Sequence, residues 1–284
     1  MTPLRKRMIN DMTVRGLTEN TMRLYLHSVS GLACHYKRSP EKISAKEVQD
    51  YLLHLHEERG LTWQSCNCVR HGIRFLYRIT LGRPDPHFYV PGAKTPSKLP
   101  EILNHDELVR LFSVTTNIRH RALLMTAYAA GLRASEICHL QVSDIDSGRM
   151  CLRIDQGKGN KDRYVPLSQR LLTQLRDYWR HQRPQTWLFP SRYSDRPLTR
   201  RGAGHIFHRA KEKAGITKSG GIHSLRHCYA TGLLEAGVEL PVIQRRLGHR
   251  SIRSTMRYLH LAREKTSATP SPLDLLEFPK AVPA

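Results

Sequence analysis

His223-Ser224-Leu225-Arg226-His227-Cys228-Tyr229-Ala230-Thr231, followed by Leu247-Gly248-His249 and then Tyr258, is the stretch on which the reading of this chain turns. It sets an H-x-x-R pair, an L-G-H triplet and a tyrosine nine positions past the last histidine within the C-terminal third. Upstream, Gly131-Leu132-Arg133-Ala134-Ser135-Glu136 adds a second arginine, and Gly157-Lys158-Gly159-Asn160-Lys161 a turn that carries lysine. These are the side chains needed to open a phosphodiester with a phenol and no metal ion. The phosphate is anionic, its pentavalent transition state spreads more negative charge over the non-bridging oxygens, and the leaving 5′ oxygen needs a proton. Arginine's planar fork donates in pairs and stays charged, so Arg133 and Arg226 are candidates to clamp the two non-bridging oxygens. A tyrosine with a pKa near 10 is only about one part in a thousand ionised at pH 7, so Tyr258 needs a base or a cationic field in order to attack. His223 is the candidate base and His249 a candidate donor to the phosphate. Lys158 is the candidate proton donor to the leaving oxygen, with Lys161 as its competitor.

Outward from that stretch, helical patterns occupy residues 168 to 182, 199 to 214 and 222 to 236. Residues 149 to 156 and 162 to 167 read as two short strands around the Gly157–Lys161 turn. Asn104-His105-Asp106-Glu107 is a cap before Leu108, Leu111 and Phe112, and a further helix runs from Ala122 to Ala130 and stops at Gly131. The first part of the chain is helical by period. Met22, Leu26, Val29 and Ala33 follow a Thr18 cap; Val48, Tyr51, Leu52 and Leu55 follow the capping box Ser44-Ala45-Lys46-Glu47. Val69, Ile73, Leu76 and Ile79 mark a third helix, whose other faces carry Arg70, His71, Arg74 and Arg78, either solvated or set against phosphates. Between the halves, Gly82-Arg83-Pro84-Asp85-Pro86, then Pro91, Pro96 and Pro100 cannot continue a helix and read as a basic extended linker. The expected organisation is a helical domain over 1–82, a linker over 83–100, a mixed domain over 101–266 and a tail over 267–284. The expected fold is mainly α with a small β-hairpin.

Charge narrows the partner. The 284 residues carry 46 Lys+Arg against 24 Asp+Glu, a formal +22 spread along the whole length, with 39% hydrophobic residues, enough for a core in each domain. Such a balance points to a polyanion, since neutralising ~6–10 phosphates costs roughly 10³–10⁵ in affinity between 50 and 200 mM salt through counterion release. No stretch holds the ~18 apolar residues of a membrane span, and no apolar segment follows the basic opening Met1-Thr2-Pro3-Leu4-Arg5-Lys6-Arg7 as it would in a signal peptide. Cys34, Cys66, Cys68, Cys138, Cys151 and Cys228 have no framework spacing and are expected to be free thiols in a reducing cytoplasm. No structural metal is expected. Cys66 and Cys68 lack a second pair, and Arg226 between His223 and His227 disfavours a cation and suits a phosphate.

These motifs resemble the tyrosine recombinases, also called the phage integrase family. The matching stretches are Thr126 to Ile137, Gly157 to Arg163, His223 to Thr231, Leu247 to His249, and Tyr258, in the order and spacing of the compact Xer-like members. The resemblance implies an active site of Arg133, Lys158, His223, Arg226, His249 and Tyr258, and it favours Lys158 over Lys161. Glu136, three after Arg133, is read either as the group that orients that arginine or as a structural helix salt bridge. The resemblance further implies a two-domain clamp, with a helical, SAM-like core-binding domain closing on DNA opposite a mixed α/β catalytic domain. The interval from Lys158 to His223 is too short for the additional segment of integron integrases.

By the same resemblance the chain cleaves and rejoins double-stranded DNA at recombination sites through a 3′-phosphotyrosyl bond and a Holliday junction, with neither ATP nor metal. It would act as a homotetramer on paired sites and exist as a monomer or dimer off DNA, in the cytoplasm and on the nucleoid. The tail holds Leu273, Leu275, Leu276 and Phe278 beyond Pro270-Ser271-Pro272 and is expected either to dock on a neighbouring subunit or to pack on its own domain. Arg70, Arg74, Arg200 and Arg201 are candidate DNA contacts. Three rivals stand beside this reading: a type IB topoisomerase, a DNA-binding regulator without catalysis, and a carboxylate metal transposase, for which Asp144, Asp146, Asp155 and Asp162 look like turn and hairpin residues.

Overall fold

The structure, a computed structural model, describes residues 1–83, 91–93, 100–155, 162–192, 196–259 and 261. The chain divides into two compact units, Met1–Lys98 and Leu99–Ala284. Most of the expected linker, the whole expected tail, and Lys158 and Lys161 lie outside the described residues.

The first unit is built from α1 (Pro3–Val14), α2 (Glu19–Tyr36), α3 (Ala45–Glu57) and α4 (Trp63–Phe75), the last continuing through a π-helical turn over Leu76–Thr80. Each start is fixed by a side chain that accepts a free amide: Thr18 from Thr21, Thr62 from Ser65, and Ser44 in a reciprocal capping box with Glu47. α1 was not expected from the sequence. Thr2 caps it, Pro3 opens it where no amide donor is needed, and Met8 and Met12, one turn apart, plug it into the core. That core gathers Leu32, Ile43, Val48, Tyr51, Leu52, Cys66, Ile73, Leu76 and Tyr77.

The second unit contains α5 (His105–Ser113), α6 (Ile118–Ala129), α7 (Ala134–Cys138), β1 (Ile145–Asp146), β2 (Cys151–Ile154), β3 (Arg163–Pro166), α8 (Gln169–Gln182), α9 (Arg200–Lys213), α10 (His223–Glu235), α11 (Leu240–Leu247) and α12 (Arg253–Met256). Asn104 and Glu107 form the expected cap of α5. The expected hairpin is part of a three-stranded antiparallel sheet in the order β1-β2-β3, with Ile145 opposite Leu152 and Leu152 opposite Val165. The added strand, β1, is only two residues long, too short for alternation to reveal. Leu152, Ile154 and Val165 face a core that also holds Leu123, Leu124 and Ala127 of α6, Leu171, Leu175 and Tyr178 of α8, Phe207 of α9 and Leu225 of α10. A satellite cluster of Ala230, Ile243, Leu247 and Tyr258 lies apart from it. α10 therefore has two apolar commitments, Leu225 and Cys228 to the main core and Ala230 to the satellite. The fold is mainly α with a small sheet, and the described cysteines are all free.

Candidate active site

The site is organised around one buried carboxylate. Glu136, in the first turn of α7, reaches back to accept the Arg133 backbone amide at 2.8 Å, which caps the helix and fixes the carboxylate. Its two oxygens also take the Arg133 guanidinium (2.5 Å) and both terminal nitrogens of Arg163 (2.9 and 2.8 Å), while Arg226 stands 3.8 Å away. Three guanidinium groups thus surround a single negative charge, which leaves the cluster net positive. Burial alone would raise the Glu136 carboxyl, but the hydrogen bonds and charge of Arg163, then of Arg133, hold it down to about 2.

Two glycines carry the arginines. Gly131 has a left-handed backbone (φ 58°), and a Cβ there would overlap the Tyr229 ring. Its carbonyl accepts Arg226 Nη1 at 2.7 Å. Gly248 ends α11 in the same conformation (φ 63°), with Arg163 packed where a side chain would project. Its carbonyl accepts Arg133 Nη2 at 3.0 Å, and the preceding carbonyl of Leu247 accepts Arg226 Nη2 at 2.6 Å. Each arginine is therefore held by the backbone of another motif. Arg226 is fully buried, and desolvation followed by Arg133 brings its guanidinium down to about 10, still charged at neutral pH.

α10 presents His223, Arg226 and His227 along one turn, and the loop after α11 presents His249. The His249 Nδ1 pairs with the buried Thr255 hydroxyl at 2.9 Å, which leaves Nε2 as its other polar atom. Desolvation and then Arg226 and Arg133 bring His249 down to about 4. His227 is also brought to about 4, by desolvation and then by His223 and Arg257. His223 is lowered as well, by desolvation, then Arg226 and Arg133. His227 and His249 are neutral at physiological pH, and the neighbouring guanidinium charge opposes a further cation at all three imidazoles.

Tyr258 follows α12 and is 1% exposed. Its ring lies parallel to that of His249 (6.2 Å, 9°), and its hydroxyl is 3.1 Å from His227 Nδ1. Burial raises the phenol's pKa, while Arg226, Arg257 and Arg133 pull it back.

The structure thus brings together Arg133, Glu136, His223, Arg226, His249 and Tyr258, six positions picked from the sequence, while Lys158 falls outside the described residues. Glu136, read from the sequence either as orienting Arg133 or as a helix salt bridge, accepts the Arg133 backbone amide and pairs with the guanidinium groups of Arg133, Arg163 and Arg226. The phenol that sequence reading offered to His223 hydrogen-bonds His227 instead. Three residues of the site were missed. Arg163 shares a strand face with buried Val165, and an inward arginine needs a partner. His227 sits one turn beyond His223 on the same helix. Thr255 gave no sequence signal. Arg200 and Arg201 are exposed in the first turn of α9, and Arg70 and Arg74 are half-buried on α4. Among the described residues no group of His, Cys, Asp or Glu is placed to hold a metal ion, and no helix is long and apolar enough to cross a membrane.

Residues 101–265 match the phage integrase family profile, and residues 4–86 match the phage integrase N-terminal SAM-like domain. A Sinorhizobium fredii protein named as an integrase/recombinase, y4qK, is 43% identical over 100% of this chain and 92% of its own. The tyrosine recombinase XerD of Yersinia pestis is 32% identical over 88% of this chain and 90% of its own. Among solved structures, that of the XerA recombinase superposes with a TM-score of 0.55 at 25% identity, covering 93% of this chain and 94% of that one. With a family profile spanning more than half its length and relatives that align nearly end to end, this chain belongs to the phage integrase family, the tyrosine site-specific recombinases.

Proposed function

We propose that this recombinase opens one DNA strand with Tyr258 and reseals it to another by the same chemistry in reverse. Arg133 and Arg226 hold the non-bridging oxygens of the scissile phosphate, and His223 and the Nε2 of His249 add neutral donors to it. The Tyr258 oxygen forms the new bond to phosphorus, the bond to the 5′ oxygen breaks, and Lys158 supplies the proton that oxygen takes. The 3′-phosphotyrosyl link stores the energy of the broken bond, so a 5′ hydroxyl from the partner duplex can reverse the step, and no ATP is consumed. Electrostatic preorganisation carries the rate: the guanidinium groups are fixed by backbone carbonyls before any substrate arrives, and that of Arg226 is fully buried.

The observation that supports this reading most is the convergence of Arg133 and Arg226 on one carboxylate with a buried tyrosine in their field. On this reading residues 1–82 form the SAM-like arm of a clamp on DNA, 83–100 its linker, 101–266 the catalytic domain, and 267–284 a tail that docks on a neighbouring subunit. Arg70, Arg74, Arg200 and Arg201 meet the DNA, four subunits assemble on two paired sites, and the work is done on the nucleoid in the cytoplasm.

Nicked suicide DNA incubated with the protein in EDTA tests the reading. A covalent protein–DNA adduct that disappears in Tyr258→Phe is expected, together with joined strands when two separate duplexes are supplied. Cleavage that needs a divalent cation and leaves no adduct would return the metal transposase, binding without cleavage would return the DNA-binding regulator, and religation confined to one duplex would return the type IB topoisomerase.

A further inference from the structure

The phenol proton must go somewhere when Tyr258 attacks, and the structure places an imidazole nitrogen against it. His227 Nδ1 lies 3.1 Å from the Tyr258 hydroxyl, hydrogen-bond distance for an O–H donor and an imidazole acceptor. Arg226 offers that hydroxyl a donor and a positive charge, Arg257 and Arg133 offer charge, and His249 has its Nδ1 engaged by Thr255 and its ring centroid 6.2 Å from that of the phenol. His223 meets the His227 ring edge-on at 5.0 Å and is itself exposed, so it remains available to the phosphate. The helix explains the division of labour. His223, Arg226 and His227 share one turn of α10, and the tyrosine is delivered to that turn by α12, whose Thr255 also orients His249.

We infer that His227 is the proton acceptor for Tyr258, a catalytic group of this recombinase in its own right. As the Tyr258 oxygen bonds to phosphorus, its O–H bond breaks and the proton moves to His227 Nδ1, giving an imidazolium. The bond from phosphorus to the 5′ oxygen breaks at the leaving side, where a different group supplies that oxygen's proton. In rejoining, the incoming 5′ hydroxyl gives its proton to the group that protonated the leaving oxygen, its oxygen bonds to phosphorus as the bond to the Tyr258 oxygen breaks, and the His227 imidazolium returns its proton to that phenolate, so the histidine is restored after each full cycle. The groups facing His227 are His223, Arg226, Arg257 and Tyr258, of which two are fixed cations. A proton gained there is therefore held weakly and given back readily. The inference rests on the assignment of Tyr258 as nucleophile.

Single-turnover cleavage of nicked suicide DNA by the full chain tests it, with His227→Asn, His227→Ala and Tyr258→Phe compared. Asparagine keeps an acceptor near the Nδ1 position yet cannot take a proton, so His227→Asn should bind DNA as the parent does and cleave about 10²–10⁴ more slowly. Imidazole added to the buffer should restore part of the rate to His227→Ala, in proportion to its unprotonated fraction. On DNA with a sulfur in place of the bridging 5′ oxygen, whose leaving group needs no proton, Lys158→Ala should recover and His227→Asn should not. Parental cleavage by His227→Asn, or its recovery on the sulfur substrate, would overturn the inference while leaving Tyr258 as nucleophile. An adduct that survives in Tyr258→Phe would instead overturn the assignment on which it rests.

Discussion

Replacing Glu136 by glutamine removes the one negative charge on which Arg133, Arg163 and Arg226 converge and changes the side-chain volume very little. The magnitude follows from the carboxyl itself, held at about 2 against an ordinary 4.5. With a tenfold change in proton affinity worth about 1.4 kcal/mol, the ionised Glu136 stabilises the folded catalytic unit by roughly 3 kcal/mol at pH 7. That agrees with the ~3–5 kcal/mol expected when one partner of a buried ion cluster is removed and the others are left without it. Because the folded-state value is depressed, this contribution is complete above the unfolded value near 4.5 and is lost as pH falls through the window toward 2. Urea unfolding read by the fluorescence of Trp179 and Trp187, in a Trp63→Phe background so that the N-terminal unit is silent, measures it. Wild type should exceed Glu136→Gln by about 3 kcal/mol at pH 7, and the gap should narrow below about pH 4.5 as the wild-type carboxyl comes to resemble the amide. A gap under about 0.5 kcal/mol at pH 7, or one that does not change with pH, would refute the reasoning that Glu136 is the charge holding the arginines in place.

The remaining expectations concern smaller groups. Gly131→Ala forces a Cβ into the Tyr229 ring at a left-handed backbone position, so thermal unfolding should show a loss of about 2 kcal/mol or more, with slower cleavage because the Gly131 carbonyl anchors Arg226. Thr255→Val keeps the shape but removes the hydroxyl that orients His249; single-turnover cleavage should fall about five- to tenfold with DNA affinity unchanged, the worth of one hydrogen bond of about 1 kcal/mol. Substituting both Arg200 and Arg201 by alanine should leave cleavage of saturating DNA intact and reduce the slope of log affinity against log salt by about 2, near 0.9 for each phosphate no longer neutralised.

What could be read from the sequence was what is local. The Ser44–Glu47 and Asn104–Glu107 caps, the apolar period of α2 and α3, and the Gly131 stop each involve residues three or four apart and need no tertiary partner to be recognised. The family motifs were legible for a related reason. The glycines and arginines in them are fixed by a carbonyl, carboxylate or side chain of another motif, so their chemical types are tightly constrained. Unlike β2 and β3, which the glycine-rich turn between them marks, α7, α12 and β1 have five, four and two residues and carry too little of a period to be seen. Arg163 and Thr255 escaped because their significance lies in partners reached only through the fold: Arg163 meets Glu136 from 27 positions away and also donates to the Arg246 carbonyl at 3.0 Å. His227 was visible as a histidine one turn from His223, but nothing local shows that the phenol comes to it from 31 positions downstream.

The central claim is that Tyr258 becomes covalently joined to DNA in a pocket of fixed guanidinium groups, and mapping the adduct tests it most directly. Suicide DNA trapped on the wild-type protein in EDTA, digested with nuclease and trypsin and sequenced by mass spectrometry, should place a 3′-nucleotide on the peptide Tyr258-Leu259-His260-Leu261-Ala262-Arg263. A nucleotide carried by Tyr229, a serine or any other side chain, or the absence of a linked peptide from protein that binds the same DNA, would contradict it.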